Sequence, residues 1–138
     1  MKTILFVEDD PVIIQAYRGP LQKRGFEVHV AEDGLVAMKT LLQLRPDLVS
    51  LDVLMPKVDG KYVLKYIHSR PELKATKVII LSNATLADAG MDTLAQNPDA
   101  TFLKSQCTPA LLVEKISELL GIPVPPAPVP PPPSPDIS

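Results

Sequence analysis

Short apolar runs alternate along the chain with stretches whose apolar residues recur at three- and four-residue spacing. The first run, Ile4-Leu5-Phe6-Val7, ends abruptly at Glu8-Asp9-Asp10. Its uniform hydrophobicity suits a strand buried on both faces. Asp10-Pro11 predicts a helix start, with the aspartate as cap and the proline in the first turn. Ile13, Ile14, Tyr17 and Leu21 form the stripe of that helix. Gly19-Pro20 predicts a kink, or a split into two turns. Residues 26–31 read as a second strand, and residues 34–44 as a helix closed by Arg45-Pro46. Leu48-Val49-Ser50-Leu51 is a third strand ending at Asp52, followed by a loop marked by Met55-Pro56 and Asp59-Gly60. Residues 62–68 carry Val63, Leu64 and Ile67 at helical spacing. Val78-Ile79-Ile80-Leu81 is a fourth strand ending at Ser82. Thr85 and Asp88 fit a capping box for a helix over 86–96, which Gly90 shortens. Asn97-Pro98-Asp99 is a turn, and residues 100–103 form a short fifth strand ending at Lys104. Thr108-Pro109 opens a last helix with Leu111, Leu112, Ile116, Leu119 and Leu120 as its stripe and Gly121 as its stop.

Five strands in strict alternation with five helices predict an α/β fold with a parallel sheet covered on both faces. Right-handed crossovers make it a doubly wound three-layer sandwich. The pattern stops near residue 122. Of the 16 prolines in 138 residues, nine fall within 123–138. Runs such as Pro130-Pro131-Pro132-Pro133 lack amide donors and fix φ, so an extended polyproline II conformation is expected there. One folded domain over 1–121 and a proline-rich, disordered tail or linker over 122–138 is the predicted organisation.

Composition narrows the function classes. Hydrophobic residues make up 46% of the chain, enough for a core. Acids exceed bases by 16 to 14, so the basic surplus that a phosphate-backbone binder needs is missing. The single cysteine, Cys107, excludes an internal disulfide and a multi-cysteine metal site. The apolar run at 4–7 is too short for a secretory core, and no run approaches the roughly 18 residues of a membrane span. A soluble protein of a reducing compartment is expected. His29 and His68 lack ligand spacing and read as surface or packing residues; Lys57, Lys61, Lys65 and Lys74 read as a solvated face.

The chemistry gathers at the strand ends. In an open α/β sheet, ligands bind beyond the carboxyl ends of the strands. Here those ends carry Glu8, Asp9 and Asp10, then Asp52, Ser82 and Lys104. Several carboxylates within a few ångströms repel one another and call for a cation. An all-oxygen set with room for water suits Mg²⁺. A carboxylate is a competent nucleophile toward phosphorus once charge is neutralised. Lysine and serine offer donors to phosphoryl oxygens. The set reads as a metal-assisted aspartyl-phosphate site.

The segments Phe6-Val7-Glu8-Asp9-Asp10-Pro11 and Asp52-Val53-Leu54-Met55-Pro56-Lys57-Val58-Asp59-Gly60, with Ser82 and Lys104 at typical spacings, resemble the receiver domain of two-component response regulators. The resemblance covers residues 2 to about 121. It implies a chemotaxis-regulator-like, flavodoxin-like sheet with strand order 2-1-3-4-5. It implies Asp52 as phosphoacceptor. Asp9, Asp52 and the Leu54 backbone carbonyl would bind Mg²⁺ directly, and Glu8 would act through water. Asp10 would be a cap. Ser82 and Lys104 would bind the phosphoryl group. A histidine kinase or histidine phosphotransfer protein would be the donor. A protein target would read a surface formed by the helix over 86–96, the fifth strand and the last helix. Val12, Ile13 and Ile14 on the first helix would contribute to kinase docking.

The chain also departs from that family. Ser105 stands where receivers usually carry a cis-linked proline, so the bond there need not be cis and the loop that holds Lys104 can differ from the family's. The position of the usual switch aromatic, three before the lysine, is Thr101. Phe102 is offset by one and therefore faces the other side of the strand, as a core residue, unless a shifted register of the fifth strand restores it as the switch. Thr101 and Phe102 together mark the candidate switch region. Leu54 and Ala84 occupy the positions that tune dephosphorylation and cannot orient a water, which predicts slow self-hydrolysis. Leu54 also stands where an aspartyl phosphatase would place its second acid, so a signalling phosphoacceptor is expected rather than an enzyme. The expected function is Mg²⁺-dependent phosphorylation of a cytoplasmic receiver acting through protein contacts, without direct nucleic-acid binding or membrane insertion. The competing expectation is a scaffold of the same fold that works without phosphorylation.

Overall fold

The computed structural model describes residues 2–52, 60–82 and 98–122. Leu54, Met55, Pro56, Asp59, Ala84, the helix expected over 86–96 and the tail from residue 123 lie outside the described residues. The elements are β1 (Thr3–Val7), α1 (Pro11–Lys23), β2 (Glu27–Ala31), α2 (Gly34–Leu44), β3 (Leu48–Leu51), α3 (Gly60–Ser69), a 3-10 turn (Pro71–Leu73), β4 (Lys77–Ser82), β5 (Ala100–Leu103) and α4 (Pro109–Leu119). The sheet is parallel throughout, in the order β2-β1-β3-β4-β5, as expected.

The central strand sorts the core. Ile4 and Phe6 of β1 face one side, with Tyr17 and Leu21 of α1 and Leu112 and Ile116 of α4. Leu5 and Val7 face the other, with Ala37 and Leu41 of α2 and Val63, Leu64 and Ile67 of α3. Period-two alternation in one fully buried strand thus supplies two helix layers.

Local chemistry sets the ends of the helices. Asp10 Oδ1 accepts from Val12 N–H at 2.9 Å, Asp33 Oδ1 from Val36 N–H at 2.9 Å, and Thr108 Oγ1 from Leu111 N–H at 3.2 Å. Gly25 has φ +92°, which an L side chain adopts at a cost, and the turn it makes returns Phe26 N–H to Leu21 O at 3.2 Å. Phe26 therefore closes the helix end, and β2 begins one residue later than the apolar pattern suggests.

One local expectation needs correction. Gly19-Pro20 does not split α1, which runs unbroken for 13 residues. Pro20 removes one amide donor, but Ile14 and Tyr17 before it and Leu21 after it are buried on the same side and hold both halves in line. The 3-10 turn at Pro71–Leu73 was not anticipated; it buries Leu73 beneath α3.

Ser50 is the polar exception inside the sheet. It pairs with Phe6 and Ile79 in register and is 1% exposed. Its hydroxyl has no hydrogen-bond partner among the described residues. Burial of an unpaired hydroxyl is unfavourable. Ser50→Ala is therefore expected to be neutral or to add up to about 1 kcal/mol of stability in urea unfolding. A clear loss of stability would mean that the hydroxyl is satisfied. Among the described residues, no helix is long and apolar enough to cross a membrane.

Candidate functional site

Three residues just beyond the strand ends are pinned by one further sheet-like hydrogen bond each. Glu8 N–H donates to Ala31 O at 3.0 Å, Asp52 N–H to Val7 O at 3.1 Å, and Lys104 N–H to Ser82 O at 2.8 Å. The backbone of each residue is fixed before its side chain does anything, which is the preorganisation a site needs.

The side chains converge. Lys104 Nζ lies 2.7 Å from Glu8 Oε2 and 2.9 Å from its Oε1, and 3.0 Å from Asp52 Oδ2. Glu8 is 1% exposed and Asp52 4%. Glu8, Asp9 and Asp52 each offer a carboxylate oxygen, and those oxygens lie within 4.8 Å of one another. Asp9 is exposed at the mouth of the cluster. Asp10 turns away to cap α1, as expected, and its N–H donates to Glu8 Oε1 at 3.3 Å.

Burial raises the Glu8 carboxyl above its ordinary value, an effect opposed by its hydrogen bond and charge pairing with Lys104. Burial alone would lower the Lys104 ammonium, but hydrogen bonds to Glu8 and Asp52 outweigh it and the net direction is upward. Lys104 is thus held charged at neutral pH. With three carboxylates and one ammonium the cluster keeps an anionic excess. Oxygens bound to one Mg²⁺ sit about 3 to 4 Å apart, since each lies about 2.1 Å from the metal. The three acids are close to that spacing, so the donor set fits a hard divalent cation.

Ser82 ends β4 fully buried, opposite Leu103 in register, and so belongs to the same sheet edge. Thr101 is exposed, whereas Phe102 is half-buried against the layer that includes Phe6 and Leu81. Phe102 thus packs against the core from the face opposite Thr101, the side the alternation predicted, without being fully buried. No peptide bond among the described residues is cis, so Ser105 follows Lys104 through a trans bond.

Two contacts escaped the sequence. One is the pairing of Lys104 with Glu8, between residues 96 positions apart. The other is the buried Tyr17 hydroxyl, which donates to Cys107 O at 2.8 Å. A tyrosine within an otherwise aliphatic stripe was the available signal, because a buried phenol needs a partner. Burial and this hydrogen bond push the Tyr17 hydroxyl well above its ordinary value, and burial raises the Cys107 thiol against the opposing effect of Tyr17.

Known proteins resemble this chain in sequence and fold. The family model described as response regulator receiver domain matches residues 4–117. The DNA-binding dual master transcriptional regulator RpaA of Synechocystis sp. is 34% identical over 82 residues, 59% of this chain and 34% of RpaA. The polar-differentiation response regulator DivK of Brucella anthropi is 25% identical over 120 residues, 87% of this chain and 97% of DivK. The chain spans about a third of the length of the first curated relatives it matches. Among solved structures, the response regulator TrrA of Thermotoga maritima, in complex with Mg²⁺-BeF, is 33% identical with a TM-score of 0.75, over 86% of this chain and 99% of TrrA. Fold, clustered acids and family model agree, and the chain belongs to the response regulator receiver domain family.

Proposed function

We propose that this chain is a phosphoryl-accepting receiver whose acceptor is Asp52. The observation that carries the reading is the convergence of Glu8, Asp9 and Asp52 with Lys104 Nζ 3.0 Å from Asp52 Oδ2. Asp9 and Asp52 would hold Mg²⁺, with the Leu54 carbonyl as a further ligand and Glu8 acting through water. Bound there, Mg²⁺ would supply charge neutralisation to acids and phosphoryl oxygens together. Asp52 attacks the phosphorus of a phosphohistidine on a histidine kinase or a histidine phosphotransfer protein. The N–P bond breaks, the histidine nitrogen leaves with its electron pair, and the acyl phosphate O–P bond forms. Lys104 exchanges its Asp52 contact for a phosphoryl oxygen, and Ser82 donates a hydrogen bond to another.

The new dianion would bias a surface that a downstream protein reads. RpaA is DNA-binding by name, but the matched region is about a third of it. The acidic excess of this chain favours protein rather than nucleic-acid contacts. A phosphohistidine donor and a lone thiol fit the cytoplasm. The folded receiver would occupy 1–121, with 122–138 as tail or linker.

Incubation with acetyl phosphate and Mg²⁺, followed by intact mass, tests this reading. Wild type is expected to gain one phosphoryl group, and Asp52→Asn none. Equal gain by both would move the acceptor elsewhere. No gain by wild type would favour the second reading, an interaction scaffold that does not use phosphorylation. That reading draws its support from exposed Thr101 at the usual switch position and from core-packed Phe102.

A further inference from the structure

Lys104 sits at the start of a turn that joins β5 to α4, and the turn has few internal restraints. Lys104 N–H is tied to Ser82 O at 2.8 Å, and Gln106 N–H to Leu103 O at 2.9 Å. Both bonds stay within the sheet edge and the turn itself. Ser105 and Gln106 impose no φ restraint of their own, as a proline would. The far end of the turn is held by a bond of another kind. The Tyr17 hydroxyl reaches across from α1 and donates to Cys107 O at 2.8 Å, and the pair is buried. Tyr17 is 4% exposed, and its ring packs on Phe6 with centroids 5.8 Å apart. Phe6 lies on β1 two residues before Glu8, the acid that Lys104 contacts. One phenol thus links the strand that carries Glu8 to the turn that carries Lys104.

We infer that Tyr17 is a positioning residue for Lys104, holding the ammonium where it can meet the phosphoryl group; the inference rests on the function proposed above. The physical ground is that a long, rotamer-rich lysine is only as well placed as its backbone, and this backbone is anchored by a buried hydrogen bond whose loss strands the Cys107 carbonyl. The Tyr17 hydroxyl gives its hydrogen bond to Cys107 O, and Glu8 acts on it only through charge, the smallest of the influences on that hydroxyl, so its effect should fall mainly on the phosphoryl-like ligand and not on the metal.

The test separates these two ligands. Mg²⁺ affinity and, at saturating Mg²⁺, beryllofluoride affinity are measured by calorimetry on wild type, Tyr17→Phe, Lys104→Ala and the double variant, with urea midpoints confirming folding. Tyr17→Phe is expected to bind beryllofluoride about three- to tenfold more weakly. Its Mg²⁺ affinity should be unchanged or slightly tighter. In the Lys104→Ala background the same substitution should have no further effect, since the group it positions is gone. Beryllofluoride affinity of Tyr17→Phe within twofold of wild type would overturn the inference. So would a parallel loss of Mg²⁺ affinity, or an equal further loss in the Lys104→Ala background. Failure of wild type to bind beryllofluoride at all would overturn the proposed function, and this inference with it.

Discussion

Lys104→Met is expected to lower folding stability by about 3 kcal/mol at neutral pH without metal, as read from urea unfolding. Lys104 is the cation paired with two nearly inaccessible carboxylates, Glu8 and Asp52. Removing one partner of a buried ion pair leaves the other charge desolvated and unopposed, which costs far more than an exposed pair is worth. The pH dependence has a definite sign. Burial already lifts the Glu8 carboxyl above its ordinary value of 4.5, with Lys104 pulling the other way. Without the lysine that lift grows, and the folded state binds the Glu8 proton more tightly than the unfolded chain does. Stability from such a group is fully present below the unfolded value and is lost as pH rises through the folded one. The deficit of Lys104→Met should therefore be largest near pH 7 and shrink on acidification. A variant within about 0.5 kcal/mol of wild type at pH 7 would mean that water, not Lys104, solvates the acids.

Magnesium should stabilise the wild type by about 2.7 kcal/mol when its free concentration is a hundredfold above the dissociation constant. Asp52 joins the neighbouring pair Glu8 and Asp9 only in the folded chain, so the ion binds the native state preferentially. Asp9→Asn should leave the metal-free protein within about 0.5 kcal/mol of wild type, because Asp9 is exposed. The same variant should lose most of the magnesium-dependent gain. Thermal unfolding across a magnesium series reads both quantities. An undiminished gain in Asp9→Asn would place the ion on other ligands.

These effects were foreseeable to different degrees. The sheet was legible because its strands are buried on both faces, so Ile4-Leu5-Phe6-Val7 and Val78-Ile79-Ile80-Leu81 stand out as unbroken apolar runs. The site residues were legible because each run ends at a charged or hydroxyl side chain, and a parallel sheet gathers all such ends on one edge. Three things were not legible. Pro20 argued for a broken helix, but burial of Tyr17 and Leu21 overrode the local preference. The partner of Glu8 was hidden because it lies 96 residues away, and local pattern says nothing about which acid a distant lysine will choose. The tie from Tyr17 to Cys107 uses a backbone carbonyl, which every residue has, so no side-chain motif could reveal it.

The span of that ion pair has a consequence for assembly. Glu8 follows the first strand and Lys104 the fifth, so a loop of 96 positions must close before the two can meet. A partly assembled chain that lacks β5 would hold its acids without a counter-charge, and their mutual repulsion would count against it. The counter-charge of the acids, and with it the phosphoryl-binding side of the site, is thus completed only when the last strand docks.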